Sequence, residues 1–401
     1  MTSATASNTA SNTGSKSASK TASAPVLDVD ALLADPATEI IVCCGSGGVG
    51  KTTTAAALGL RAAESGRRTV VLTIDPARRL AQSLGLTELD NTPREVHGID
   101  TSAGGSLHAM MLDMKRTFDE VVIAHSEPDK AEQILANPFY QAVSSSFAGT
   151  QEYMAMEKLG QLKSSADDWD LIIVDTPPSR SALDFLDAPN RLGSFLDGRF
   201  IRLMTAPAKL SGRAGLKVFG FGVQLVSSTL TKILGGQMLQ DLETFVSALE
   251  TMFGGFRERA DVTYRLLSQE GTAFIVVAAP ERDALREASF FVDRLEADRM
   301  PLAGLVVNRI GQVAASGLTP AKALSVAEAL DESGGPRSAT NAAGVLRLHA
   351  ALVKTAERQR ELADRFTRAH PGIPVTHVPA LSRDVHDLES LREVGNALAG
   401  A

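Results

Sequence analysis

The run EIIVCCGSGGVGKTTTAAALGL, from Glu39 to Leu60, leaves a chain few folds to choose from. Glu39–Cys44 is an almost wholly apolar stretch and reads as a strand buried on both faces. Gly45-Ser46-Gly47-Gly48-Val49-Gly50-Lys51-Thr52 fits G-x-x-x-x-G-K-[ST]. Thr52–Ser65 then has helical spacing, with Gly66 as a stop. Strand, glycine-rich loop and helix in that order make a phosphate cradle. The glycines let backbone N–H groups converge on an anion, and the positive end of the helix adds to them. In such a loop Lys51 reaches the β- and γ-phosphates, and Thr52 offers its hydroxyl to Mg²⁺. Gly45, Gly47, Gly48, Val49, Gly50, Lys51, Thr52 and Thr53 are therefore nucleotide-binding candidates.

The rest of the chain repeats the strand–helix rhythm. Thr69–Ile74, Ser106–Leu112, Asp170–Asp175, Thr272–Ala278, Leu302–Asn308 and Pro374–Pro379 read as strands. Met114–His125, Pro128–Ser145 and Gln151–Leu162 read as helices. Apolar strands alternating with helices predict an α/β fold, a mostly parallel sheet covered on both faces. Two stretches break the rhythm. Residues 182–268 hold no strand pattern and read as an inserted helical subdomain. Residues 311–343, with ESGGPRSATNAAG at 332–344, read as a long mobile connection. The expected organisation is a disordered Ser/Thr/Ala/Asn-rich tail at 1–25 and a nucleotide-binding domain in two parts, 26–181 and 269–401, around the insertion.

Two strand ends carry acids. A carboxylate at the carboxyl end of a buried parallel strand faces the nucleotide crevice. Asp175 closes one such strand, where phosphate-loop enzymes keep the aspartate that supports Mg²⁺, here through water; a helix-capping aspartate is the alternative. Asp75 ends the TVVLTI strand and is the candidate for orienting the attacking water, against a plain turn aspartate. Arg78, Arg79 and Arg180 lie just beyond these ends, within reach of phosphates or simply solvated.

Composition narrows the partners. The formal net charge is −7, which argues against nucleic acid, a partner that wants a basic face. The two cysteines, Cys43 and Cys44, are adjacent on a strand, so their side chains point to opposite faces and bridge nothing. That usage suits a reducing cytoplasm and cannot hold an iron–sulfur cluster. Residues 1–24 lack the apolar core of a secretory signal.

GGVGKTT, TIDPARRLAQSLG, VDTPPSRSALDFL, VVNRI and VPALSRDV occur in that order. This ordered set, spread from about residue 38 to 400, resembles the arsenical-pump ATPase family, which includes ATPases that target tail-anchored membrane proteins. The resemblance implies an ATPase using ATP and Mg²⁺ and working as an ATP-gated dimer, with Asp75, Lys51 and Asp175 in catalytic roles. It places the adenine-contacting asparagine at Asn308, the proline loop under the base at Pro379, and a residue touching nucleotide or partner at Glu281. It also implies a cytoplasmic protein that visits the inner face of the membrane, with a membrane-protein or anion-transport client.

Two departures bear on what carries over. The family's second loop residue is a lysine that crosses the dimer to the partner's phosphates, and here it is Ser46. The cysteine pair that clamps zinc between subunits in the eukaryotic targeting factors is absent, so no zinc is expected. A trans cation of this kind is worth about 10³–10⁵ in rate. Three readings of Ser46 stay open: a paralogous subunit that keeps the lysine; a homodimer in which Arg78 or Arg180 substitutes; and an ATP-binding, weakly or non-hydrolysing regulatory subunit. Within the insertion, Leu216–Leu234 is apolar enough to line a client groove or to pack against its own domain, and too polar at Gln224 and Ser227–Thr229 to span a membrane. Residues 199–217 carry five basic side chains and no acid, suited to anionic head groups or to a solvated loop.

Overall fold

A computed structural model describes residues 25–75, 79–138, 140–141, 144, 150–165, 168–177, 258–315 and 317–400. The readings made for the tail 1–24, for Arg78 and Arg180, and for 182–257 of the insertion lie outside these residues.

The strands are β1 (Ile40–Cys44), β2 (Arg68–Thr73), β3 (Arg94–Glu95), β4 (Ser106–Met111), β5 (Leu171–Asp175), β6 (Thr272–Ala278), β7 (Leu302–Ile310) and β8 (Val375–Pro379). They form one sheet in the order β3-β4-β2-β5-β1-β6-β7-β8. Every pairing is parallel except β3 with β4. The helices are α1 (Val29–Ala34), α2 (Lys51–Glu64), α3 (Arg79–Ser83), α4 (Met114–His125), α5 (Pro128–Ala136), α6 (Thr150–Ser164), α7 (Arg282–Ala297), α8 (Pro320–Glu332), α9 (Arg337–Ala369) and α10 (Leu388–Leu398). Residues 258–267 are also helical.

Alternation along β1 shows why its residues are apolar throughout. Ile40, Val42 and Cys44 face a core shared with α4, α6, α7 and α9, while Ile41 and Cys43 face one shared with α1, α2 and α10. Both thiols are free and buried, on opposite faces as their adjacency dictates. The strand is thus a hydrophobic partition, and any polar side chain within it would lose its water on either side. Among the described residues no helix is long and apolar enough to cross a membrane.

Two local readings are corrected. The connection expected at 311–343 is largely helical: α8 fills 320–332 and α9 begins at Arg337. Thr319 caps α8 by accepting from the Lys322 amide, and Pro320 takes the first turn, where its missing N–H costs nothing. The alanines that make this stretch look loop-like are the best helix formers, and Ser333–Pro336 makes the turn between the two helices. The helix expected over Pro128–Ser145 stops at Ala136. Asn137 ends it and its side chain accepts from the Tyr140 amide, opening a new turn at Pro138. The two-residue edge strand β3 has no apolar pattern to betray it.

At the amino-terminal end of the sheet, Arg67 ties three segments together. Its guanidinium donates to the carbonyls of Leu33 (3.1 Å), Thr38 (2.6 Å) and Asp170 (2.5 Å). Burial holds its pKa below the usual arginine value, opposed chiefly by Asp170. Arg67→Met should lower the unfolding free energy by about 2–4 kcal/mol, since several carbonyls lose a charged donor. Urea denaturation checks this. Nucleotide affinity should not change, because the site is at the opposite end of the sheet.

Candidate phosphate-binding site

The loop between β1 and α2 is built by close approach. At Gly45, φ is 147° and an added Cβ would sit 2.1 Å from the Val277 carbonyl oxygen. At Gly50, φ is 98° and an added Cβ would sit 2.2 Å from Nδ2 of Asn308. Only glycine fits either place, so the two ends of the loop are pinned against β6 and β7. Gly47 and Gly48, between them, face solvent, and Val49 is buried. Lys51 opens α2 with its side chain folded back into the loop, where Nζ donates to the Ser46 carbonyl at 2.8 Å. Burial lowers its pKa; the carboxylates of Asp175 and Asp75 act in the other direction. Thr53 is half-buried on the first turn of α2.

Asp175 is brought to this loop by sheet order. β5 lies between β2 and β1, with Asp175 in register with Thr73 on one side and Cys43 on the other. Its carboxylate is fully buried. Oδ2 accepts from Oγ1 of Thr52 at 2.7 Å and from Oγ1 of Thr73 at 2.9 Å. Oδ1 is buried with no hydrogen-bond partner. Thr176 fixes the strand end by donating its hydroxyl to the Cys43 carbonyl at 2.9 Å. Burial raises the Asp175 pKa from 3.8 to about 6, against the pull of the two threonine hydroxyls and Lys51.

A buried carboxylate oxygen without a partner, beside a threonine hydroxyl, is the hard-oxygen chemistry that Mg²⁺ prefers. These residues fit the ion, and Thr52 and Asp175 would hold it. Asp75 lies two residues past β2, half-buried and close enough to add to the fields at Lys51 and Asp175. Gln151 of α6 donates to the neighbouring Ile74 carbonyl at 2.9 Å and holds that strand end.

The remaining predicted residues share this edge of the sheet. Asn308, near the end of β7, donates Nδ2 to the Val49 carbonyl at 2.8 Å, so it touches the phosphate loop itself. Pro379 ends β8, in register with Ile310. Glu281 is exposed at the amino-terminal cap of α7, just past β6. Thr73 and Thr176 stand inside the quoted TIDPARRLAQSLG and VDTPPSRSALDFL, where nothing local shows their contacts, and Gln151 lies in no quoted motif. Arg309 stands inside the quoted VVNRI, yet nothing in that string shows that its guanidinium donates to the Gly48 carbonyl at 2.9 Å.

The raised Asp175 pKa fixes a sign. An acid whose folded pKa lies above its unfolded value contributes stability that is complete below about pH 4 and lost as pH rises through about 6. Without nucleotide or metal, the stability difference between the wild type and Asp175→Asn should therefore shift against the wild type between pH 4 and pH 7, by at most about 3 kcal/mol. Urea unfolding of both proteins across that range measures it. Parallel curves would mean that the carboxylate is not desolvated.

The family model for anion-transporting ATPases matches residues 38–315. ATPase ASNA1 homolog 2 of Paramecium tetraurelia is 26% identical over 285 residues, covering 70% of this chain and 78% of that protein. ATPase GET3 of Podospora anserina is 25% identical over 268 residues, 66% of this chain and 71% of its own length. ATPase ARSA1 of Chlamydomonas reinhardtii is 25% identical over 308 residues, 70% of this chain but 36% of its own length. The match spans both strand-end aspartates, the phosphate loop and Asn308, and the chain belongs to the anion-transporting ATPase family, as an ATPase with a phosphate-loop NTPase fold.

Proposed function

We propose that this chain binds Mg²⁺–ATP in the loop Gly45–Thr52, hydrolyses it with Asp75 orienting the attacking water, and couples the bound state to closure of a dimer with a paralogous subunit. The observation that carries this reading is the contact of Thr52 with the buried Asp175 carboxylate, whose other oxygen is unpartnered. Bound there, Mg²⁺ neutralises phosphate charge. The chain's own residues do the rest. The loop N–H groups bind phosphate oxygens. Lys51 exchanges the neutral Ser46 carbonyl for an anionic oxygen, a stronger acceptor. Asp75 accepts a hydrogen bond from water at the edge of the site. Asn308 and Pro379 bound the base, and Glu281 faces the nucleotide or the partner across the dimer.

Ser46 bears on the partner. It is 9% exposed and its short side chain carries no charge to send across an interface. A cation that stabilises the transferring phosphoryl group therefore comes from elsewhere, most simply from the lysine of a paralogue. The same observation supports a second reading, in which the isolated chain binds ATP and turns it over slowly, as the regulatory half of such a pair. The family's description supports an anion-transport client; a membrane-protein client, and a cytoplasmic setting with transient visits to the inner face of the membrane, extend the reading beyond it.

Calorimetry with ATP, with and without Mg²⁺, tests the binding step on the purified chain and on any complex it forms. Lys51→Ala should weaken ATP binding by roughly 100-fold, the loss of a buried charge-assisted contact. Thr52→Ala should keep metal-free affinity and lose the gain that Mg²⁺ brings. No Mg²⁺-dependent binding by the wild type, alone or with its partner, would end the proposal. Native mass of the complex tests the pairing itself: a paralogue at equal stoichiometry supports it, and a homodimer overturns it; turnover of the chain alone against the pair separates the two readings.

A further inference from the structure

The carboxyl end of β7 departs from a regular strand where it meets the phosphate loop. In regular strand backbone, Asn308 and Arg309 would point to opposite faces of the sheet. Here both reach the same loop. Asn308 donates Nδ2 to the Val49 carbonyl at 2.8 Å, and Arg309 donates Nη1 to the Gly48 carbonyl at 2.9 Å. What permits this is a bulge: the register with β8 slips between Val307 and Ile310. Arg309 sits at its crest with φ of 63°, a left-handed backbone that a residue with a Cβ adopts at a cost. The Asn308 side chain braces the crest by accepting from the Arg309 amide at 2.9 Å. Bulges re-aim side chains next to sites, and this one aims two consecutive donors at two consecutive carbonyls.

A phosphate cradle needs its N–H groups turned in, which requires its carbonyls turned out and satisfied. Along Ser46 to Val49, three carbonyls accept from side-chain donors. The Ser46 carbonyl accepts from Lys51, the Gly48 carbonyl from Arg309 and the Val49 carbonyl from Asn308. The Lys51 contact is spent when nucleotide takes that ammonium. The β7 pair reaches the loop from the neighbouring strand rather than from within the loop.

We infer that Arg309 is a positioning residue for nucleotide binding: from a strained bulge it holds the Gly48 carbonyl outward and so keeps the phosphate loop's N–H groups preset for the anion. Its charge also adds a cation beside a loop that lacks one at Ser46. The inference rests on the reading of Gly45–Thr52 as an ATP site and adds a residue that the loop pattern does not contain.

The test compares Arg309→Gly, Arg309→Ala and Arg309→Lys in the full-length chain. Binding of Mg²⁺–ADP and of a non-hydrolysable ATP analogue is followed by calorimetry, beside melting temperature and steady-state turnover. Arg309→Gly relieves the left-handed backbone while removing the guanidinium, so its melting temperature should equal or exceed that of the wild type. Its nucleotide Kd should nevertheless rise about tenfold, the loss of one charge-assisted donor. Turnover at saturating ATP should stay within about twofold of the wild type, and Arg309→Lys should recover part of the affinity. Wild-type affinity in both the glycine and alanine variants would overturn the inference while leaving the ATP site standing. So would a fall in saturated turnover with Kd unchanged, which would move Arg309 from the loop to the reacting phosphoryl group. A wild type that binds no nucleotide would instead sink the site itself, and the inference with it.

Discussion

A carboxylate held without water at the end of β5 organises this site. Asp175 has two hydroxyl donors on one oxygen and none on the other, and burial raises its pKa to about 6 against the pull of those hydroxyls. Such a group is a standing cost to the unliganded fold. The sheet tolerates it because β2 and β1 flank β5 and carry Thr73 and the Thr52 turn to the same point. A cation held by Thr52 and, through water, by Asp175 would offset part of that cost. Lys51 works the same way with opposite sign, since its ammonium is desolvated and rests on a neutral carbonyl. Two desolvated charges of opposite sign, each partly offset by the other, thus flank one loop.

The loop between them depends on the strands at its sides. Gly45 abuts the β6 backbone and Gly50 the Asn308 side chain, so β6 and β7 act as a mould for the phosphate cradle. The candidate nucleotide crevice therefore belongs to the whole carboxyl edge of the sheet. That edge gathers residues from positions as distant as Lys51, Asp175, Asn308 and Pro379.

Much of this was legible in the sequence, for a physical reason. Strands buried on both faces must be apolar throughout, so β1, β2, β5, β6 and β7 declare themselves as unbroken runs, and strand-end acids such as Asp175 stand out against them. The phosphate loop is a local object and its pattern is local too. Features set by neighbours were not legible. Thr73 is an ordinary threonine until β5 pairs beside it. Arg309 gains its role from a bulge whose cause is register with β8, which no window around VVNRI contains. The stretch 311–343 shows the reverse failure, where small residues look like a loop by count while Thr319, Pro320 and the alanines behind them specify a helix. Asn137 ended a helix by its capping preference against a periodicity that ran on.

The position of β1 in the sheet has a consequence for how the chain is made. Its registered neighbours are Ile172 on one side and Thr272 on the other, both far downstream of Ile40. During synthesis β2 and β4 can find each other early, but β1 has no edge to join until β5 has emerged, and it stays half-paired until β6 follows. The most apolar strand of the molecule, with two thiols in it, is thus the one that waits longest. Long-range closure of this kind is slow, and an unpaired apolar strand is a template for association with other chains. The same burial that makes β1 the partition of the finished protein makes it the segment that chaperones must shield while the protein is unfinished.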